Sequence, residues 1–113
     1  MTKPVADFSA FLALDIRAGV ILAAVPAQTK KPTLRMTIDF GPEIGTKVSC
    51  GAYTNYAVAE LIGKSVVAVI NFGPKKMGPE VSEALVLGVQ NPNGAGTILL
   101  TVDQSAPAGS EIF

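Results

Sequence analysis

Between Leu34 and Phe40 apolar and polar side chains alternate without interruption: Leu34, Met36, Ile38 and Phe40 fall on one face of an extended chain, Arg35, Thr37 and Asp39 on the other. That period of two predicts a half-buried β-strand. Ile16 to Val25 reads as an earlier strand, interrupted at Gly19 by a bulge or bend of the kind that barrel curvature uses. After the turn Gly41-Pro42-Glu43-Ile44-Gly45, Thr46 to Tyr53 can return antiparallel to the alternating strand. Val66 to Ile70, inside the stretch Ser65 to Asn71, is apolar at every position, as in a strand buried on both faces. Val81 to Val89 and Thr97 to Val102 supply further strands around the turn Asn91-Pro92-Asn93-Gly94. Two short helices complete the pattern. Asp7 can N-cap Phe8 to Leu14, whose Phe8, Phe11 and Leu12 share one face, and Ala57 to Ile62 ends at Gly63, where a left-handed residue closes a helix.

Three antiparallel strands, a short helix and then further strands is the order of an all-β OB-fold. That fold is a five-stranded Greek-key β-barrel, here with one short helix ahead of it, one between strands 3 and 4, and a C-terminal extension; such barrels bind oligonucleotides through one face and flanking loops. The 113 residues suit a single domain spanning 1–113. Hydrophobic residues make up 49% and charged residues 16%, which excludes disorder and leaves more apolar surface than a small barrel hides, so self-association is expected. Lys3 ahead of an apolar stretch ending Ala23-Ala24-Val25-Pro26-Ala27 has the outline of a secretory leader, but Asp15 and Arg17 within that stretch oppose it. No run approaches the roughly 18 apolar residues that span a bilayer. A lone Cys50 cannot form an internal disulfide, and a cytoplasmic location without membrane insertion is expected.

The chain has no histidine, which removes Ser-His and Cys-His nucleophile pairs and His-containing zinc sites. Ser82-Glu83 lacks the base that would activate a serine, and Asn93-Gly94-Ala95-Gly96 is too short for a dinucleotide fingerprint, so no catalysis, cofactor or metal is expected. Charge distribution is more informative. The net charge is zero, yet residues 17 to 76 carry +5 and residues 77 to 113 carry −4. A basic face of this kind can follow phosphates without reading sequence. Lys75-Lys76, in a loop bounded by Gly73-Pro74 and Gly78-Pro79, stand next to Asn71 and Phe72, which together offer cations for phosphate, an amide for a base edge and a ring for stacking. Lys30-Lys31 before Pro32 form a second basic point. The plainer reading of these residues is a solvated lysine surface with Phe72 plugging the barrel end. Cys50 reads as a small buried hydrophobe.

Several stretches, in order, also carry a family likeness. They are Asp15-Ile16-Arg17-Ala18-Gly19-Val20-Ile21; Lys31-Pro32 followed by Leu34-Arg35-Met36-Thr37-Ile38-Asp39-Phe40-Gly41; and Leu61-Ile62-Gly63-Lys64. Val67-Ala68-Val69-Ile70-Asn71-Phe72 with Pro74-Lys75-Lys76 follows, and then Ser82-Glu83 ahead of Leu85-Val86-Leu87-Gly88. Across roughly residues 8 to 100 the chain resembles the tRNA-binding OB domain that occurs as a free-standing dimer and appended to methionyl-tRNA synthetases, and within it the CsaA-like, export-related chaperones. The resemblance implies a homodimer with Phe8, Phe11, Leu12, Ile112 and Phe113 at its interface. It implies tRNA or other ligand contacts at Lys31, Arg35, Asn71, Phe72, Lys75, Lys76, Ser82 and Glu83, with Asp15 and Arg17 holding structure. In CsaA-like members it further implies binding of unfolded preprotein or signal-like peptides and dealings with the protein export machinery. The alternative is a dimeric, structure-specific tRNA-binding module without chaperone activity. Gly73 stands where the family has Pro, Ala84 replaces a larger aliphatic residue, and Ser49-Cys50-Gly51-Ala52-Tyr53 departs from the CsaA pattern.

Overall fold

β1 (Ile16–Pro26) is the strand on which the rest is assembled, and a computed structural model describes it together with all of residues 1–113. Its first half pairs with β4 (Ser65–Val69) and its second half with β2 (Leu34–Asp39), both antiparallel. β3 (Thr46–Gly51) pairs with β2, and β7 (Leu85–Val86) with β4, giving the sheet order β3-β2-β1-β4-β7. The N–H groups of Glu83 and Ala84 both donate to the Val48 carbonyl, at 2.7 and 3.2 Å. Those bonds draw the two outer strands together into the nearly closed five-strand OB-type barrel that the pattern predicts.

The alternation in β2 is realised: Leu34, Met36 and Ile38 are buried while Arg35, Thr37 and Asp39 are partly exposed. They pack with Ile21, Phe40, Val66 and Ala68, and Leu61 of helix α3 (Val58–Leu61) closes one end. Glu60 accepts from the Ala57 N–H at 2.8 Å, which supports the start of that short helix. Inside the barrel Ser49 and Tyr53 satisfy one another, Oγ to Oη 3.2 Å; burial pushes the Tyr53 phenol up from its ordinary pKa.

Gly19 does not form the expected bulge. It pairs regularly with Val66, and the register shift falls between Ile21 and Ala23. A Cβ on Gly19 would lie 2.6 Å from Ile38 Cγ2 and 2.7 Å from the Phe40 ring, so what this position requires is the absence of a side chain. Gly19→Ala is expected to destabilise the fold by about 1–3 kcal/mol, read as a lower urea midpoint at unchanged m-value.

Several boundaries also differ. Helix α1 (Phe8–Leu12), capped by Asp7 through the Ser9 N–H, stops short of Leu14. The turn at 41–45 winds into a single helical turn, α2 (Gly41–Ile44). β3 ends at Gly51, beyond which Tyr53 folds back over the glycine. β4 ends at Val69 rather than Asn71. The segment read as an irregular loop is a hairpin, β5 (Lys75–Met77) paired with β6 (Glu80–Ser82), because Gly78 supplies the left-handed residue (φ +63°) that lets the chain reverse. The single strand expected over Val81 to Val89 is broken. Glu83 and Ala84 leave it to bond Val48, and β8 (Gly88–Gln90) pairs with β9 (Thr97–Leu99) in a separate hairpin.

The C-terminal segment lies along the first half of β1. Gly109 and Ile112 donate to the Ala18 and Ile16 carbonyls, and Ala18 donates to Ser110, all within 2.9 Å. Gly109 (φ +91°) sits so close to the Phe40 carbonyl that any Cβ would collide with it. Ile112 packs beside Ile16, Val67 and Val69. No helix of the chain is long and apolar enough to cross a membrane.

Candidate nucleic-acid interface

Two recesses flank the β5–β6 hairpin. On one side a groove of about 810 Å³ separates the hairpin turn, Gly78 and Pro79, from the β1–β2 loop with Lys30 and Lys31, over a floor of Gly51 and Ala52. On the other side a cleft of about 390 Å³ is lined by Cys50, Phe72, Lys75, Met77, Ser82 and Leu85. Lys75 and Lys76 stand exposed on β5, and the Phe72 ring is half exposed at the mouth of the cleft. The β1–β2 loop is rigidified from within, since the Thr29 and Thr33 hydroxyls both donate to the Lys31 carbonyl, at 2.6 and 2.9 Å. Its lysine side chains remain in solvent.

The eight ligand-site residues expected from the sequence therefore divide into two groups. Lys31, Phe72, Lys75 and Lys76 present unengaged side chains around the hairpin. The other four are engaged within the chain. Asn71 Nδ2 donates to the Ala13 carbonyl and its Oδ1 accepts from the Asp15 N–H, at 2.9 and 2.8 Å, so the amide braces the entry to β1. Ser82 Oγ accepts from the Cys50 N–H and donates to the Ala84 carbonyl. Glu83 accepts from the Val48 N–H at 3.0 Å, at the seam where the barrel closes. Arg35 Nη1 reaches the carboxylate of Glu80 at 2.9 Å. Asp15 and Arg17 hold structure as expected: they pair at 2.6 Å, and Arg17 also donates to the Gly109 carbonyl.

Glu80 is the residue of this region that the sequence did not disclose. It is 6% exposed and accepts from the Gln28 N–H at 2.9 Å as well as from Arg35. The Gln28 bond first, and then the Arg35 guanidinium, hold its carboxyl below the ordinary glutamate range. A lowered carboxyl stabilises the fold while ionised, so its contribution is present above the ordinary glutamate range and is lost as the pH falls through the lowered value. Cys50 is buried as expected, and its thiol is pushed up by burial and then by the Glu80 charge.

Of the expected interface residues, Phe8, Leu12 and Phe113 are strongly exposed, and Phe8 stacks on Phe11 with ring centroids 6.0 Å apart. Ile112 is partly buried beside Ile16, Val67 and Val69.

Residues 16–111 match the family described as "Putative tRNA binding domain". The chain belongs to the tRNA-binding domain family. Among its relatives are the methionine–tRNA ligases of Methanosarcina mazei, 34% identical over 98% of this chain, and Parabacteroides distasonis, 35% identical over 94%. The tRNA-binding domain spans only 15% of the length of those ligases. Solved structures of the chaperone CsaA from Bacillus anthracis and Picrophilus torridus are 38% and 37% identical, with TM-scores of 0.90 and 0.91, over 97% and 96% of this tRNA-binding domain and the whole of each of theirs. The MetRS-related protein from Pyrococcus horikoshii, 20% identical at a TM-score of 0.83, shares the fold.

Proposed function

We propose that this chain is a non-catalytic, homodimeric protein that binds folded tRNA through the β5–β6 hairpin and the β1–β2 loop. The observation that carries this reading is the gathering of exposed cations around the β5–β6 hairpin: Lys30 and Lys31 line the groove at its turn, Lys75 lines the cleft on its other side with Phe72, and Lys76 stands exposed on the same strand. Paired cations at two fixed points suit a phosphate backbone recognised by shape, and an exposed ring suits an unstacked base. Two features support the dimer. The chain exposes 7423 Å², against roughly 5,800 Å² for a folded monomer of its mass, and part of that excess is apolar at Phe8, Leu12 and Phe113.

A second reading is favoured by the likeness to CsaA chaperones and by the cleft beside Phe72 and Leu85: the same protein holds apolar segments of unfolded preproteins on their way to export. Titrating labelled bulk tRNA and a labelled apolar, basic signal-like peptide against one sample across a salt series separates the two. Binding of tRNA that weakens with a log-log slope of about −0.7 to −0.9 per phosphate contacted, with negligible peptide signal, supports the tRNA reading. Peptide binding that survives salt, with tRNA lost at physiological ionic strength, replaces it with the chaperone reading. A monomer by light scattering at micromolar concentration removes the dimer from either.

A further inference from the structure

The β1–β2 loop and the β5–β6 hairpin carry the two lysine pairs, yet they are far apart in sequence and join different strands. A single hydrogen bond links them, from the Gln28 N–H to Glu80 Oε2 at 2.9 Å. The other oxygen of that carboxylate accepts from Arg35 Nη1 at 2.9 Å, so one buried side chain gathers the loop, the hairpin and β2. Every other hydrogen bond made by residues 27–33 outside the β2 pairing stays inside the loop. Glu80 thus occupies a position that a surface acid does not need. It is almost fully buried between a loop and a hairpin that each carry an exposed lysine pair, and its carboxylate ties the loop to the hairpin through Gln28 while Arg35 of β2 holds it in place.

We propose that Glu80 is a positioning residue for RNA binding, a carboxylate clasp that fixes the loop carrying Lys30 and Lys31 to the hairpin carrying Lys75 and Lys76. The proposal rests on the tRNA reading above. Cations that are already spaced contact successive phosphates without first ordering a loop, and that saved ordering appears as affinity. Simple charge reasoning makes the opposite prediction. Glu80 is a negative charge on the hairpin that carries Lys75 and Lys76 and neutralises Arg35, so removing it should strengthen binding to a polyanion.

The discriminating measurement is the affinity of bulk tRNA for the full chain across a salt series, for the wild type, Glu80→Ala, Glu80→Gln and Gln28→Pro. Glu80→Ala removes both bonds. Gln28→Pro deletes the donated N–H together with the glutamine side chain, restricts the backbone at 27 and 28, and leaves the Glu80–Arg35 pair in place. Glu80→Gln retains an amide oxygen that can still accept from Gln28. The expected result is a loss of about tenfold in affinity for Glu80→Ala and Gln28→Pro, a smaller loss for Glu80→Gln, and a salt slope within about one phosphate of the wild type because the lysines remain. Exchange of the Gln28 amide should quicken in both glutamate variants, most in Glu80→Ala. Wild-type or tighter binding by Glu80→Ala and Glu80→Gln overturns the clasp while leaving the tRNA reading intact. A wild-type chain that fails to bind tRNA overturns that reading, and the role of Glu80 with it.

Discussion

Replacing Lys75 and Lys76 together by alanine is expected to flatten the salt dependence of tRNA binding by about 1.4 to 1.8 in log-log slope and to weaken binding most at low salt. Each exposed lysine that neutralises a phosphate releases condensed counterions, and that release makes affinity depend on salt. Both residues lie on β5 of a two-stranded hairpin, so alanine leaves the backbone pairing Lys75 to Ser82 and Lys76 to Val81 unchanged. The fold should therefore be unaffected, with a thermal midpoint within a degree or two, since surface substitutions away from buried partners shift stability by about 0.5 kcal/mol or less. Filter binding across a salt series checks the slope. An unchanged slope at lowered affinity would move the phosphate contacts elsewhere, with Lys30 and Lys31 as the next pair to remove.

Phe40→Ala is expected to cost about 3–5 kcal/mol, a large share of the 5–15 kcal/mol that holds a domain of this size together. The ring is 1% exposed and sits between β2 and the backbone of Gly19, which has no side chain to move into the space that would open. The carbonyl of the same residue lies against Gly109, so a shift there also loosens the C-terminal segment from β1. A fall of roughly 12 °C or more in thermal midpoint should follow. Coupling gives a sharper check than the loss alone: Gly19→Ala should cost less in the Phe40→Ala background than in the wild type, because the new methyl would occupy the vacated space. Additive losses in a double-mutant cycle would show that the two residues are not packed as described.

The barrel was legible because its strands carry their burial in their pattern. Leu34 to Phe40 alternates because one face meets the core and the other does not, and Val66 to Val69 is uniformly apolar because both faces are covered. The site was legible only as composition. Lys75 and Lys76 stood out as cations, but Gly73, Pro74, Gly78 and Pro79 around them read as a loop, since a short hairpin and an irregular turn use the same residues. Asn71 looked like a ligand because its amide can bond to a base, whereas a contact with Ala13 and Asp15 on a distant segment takes that capacity. Glu80 was invisible for the same reason: its partners lie 52 and 45 residues away, and a lone acid near basic residues has no periodicity to mark it. Gly19 was noticed as a glycine, but its physical role depends on Ile38 and Phe40 arriving beside it.

The pairing of Gly109–Ile112 with the opening residues of β1 has a practical consequence for handling the protein. Residues 109–112 are thereby anchored at the start of the strand, while the lysine loop begins where the strand finishes, at most roughly 33 Å away along its length. A fluorophore attached at residue 113 would therefore report on the first half of β1 rather than on the loop that carries Lys30 and Lys31.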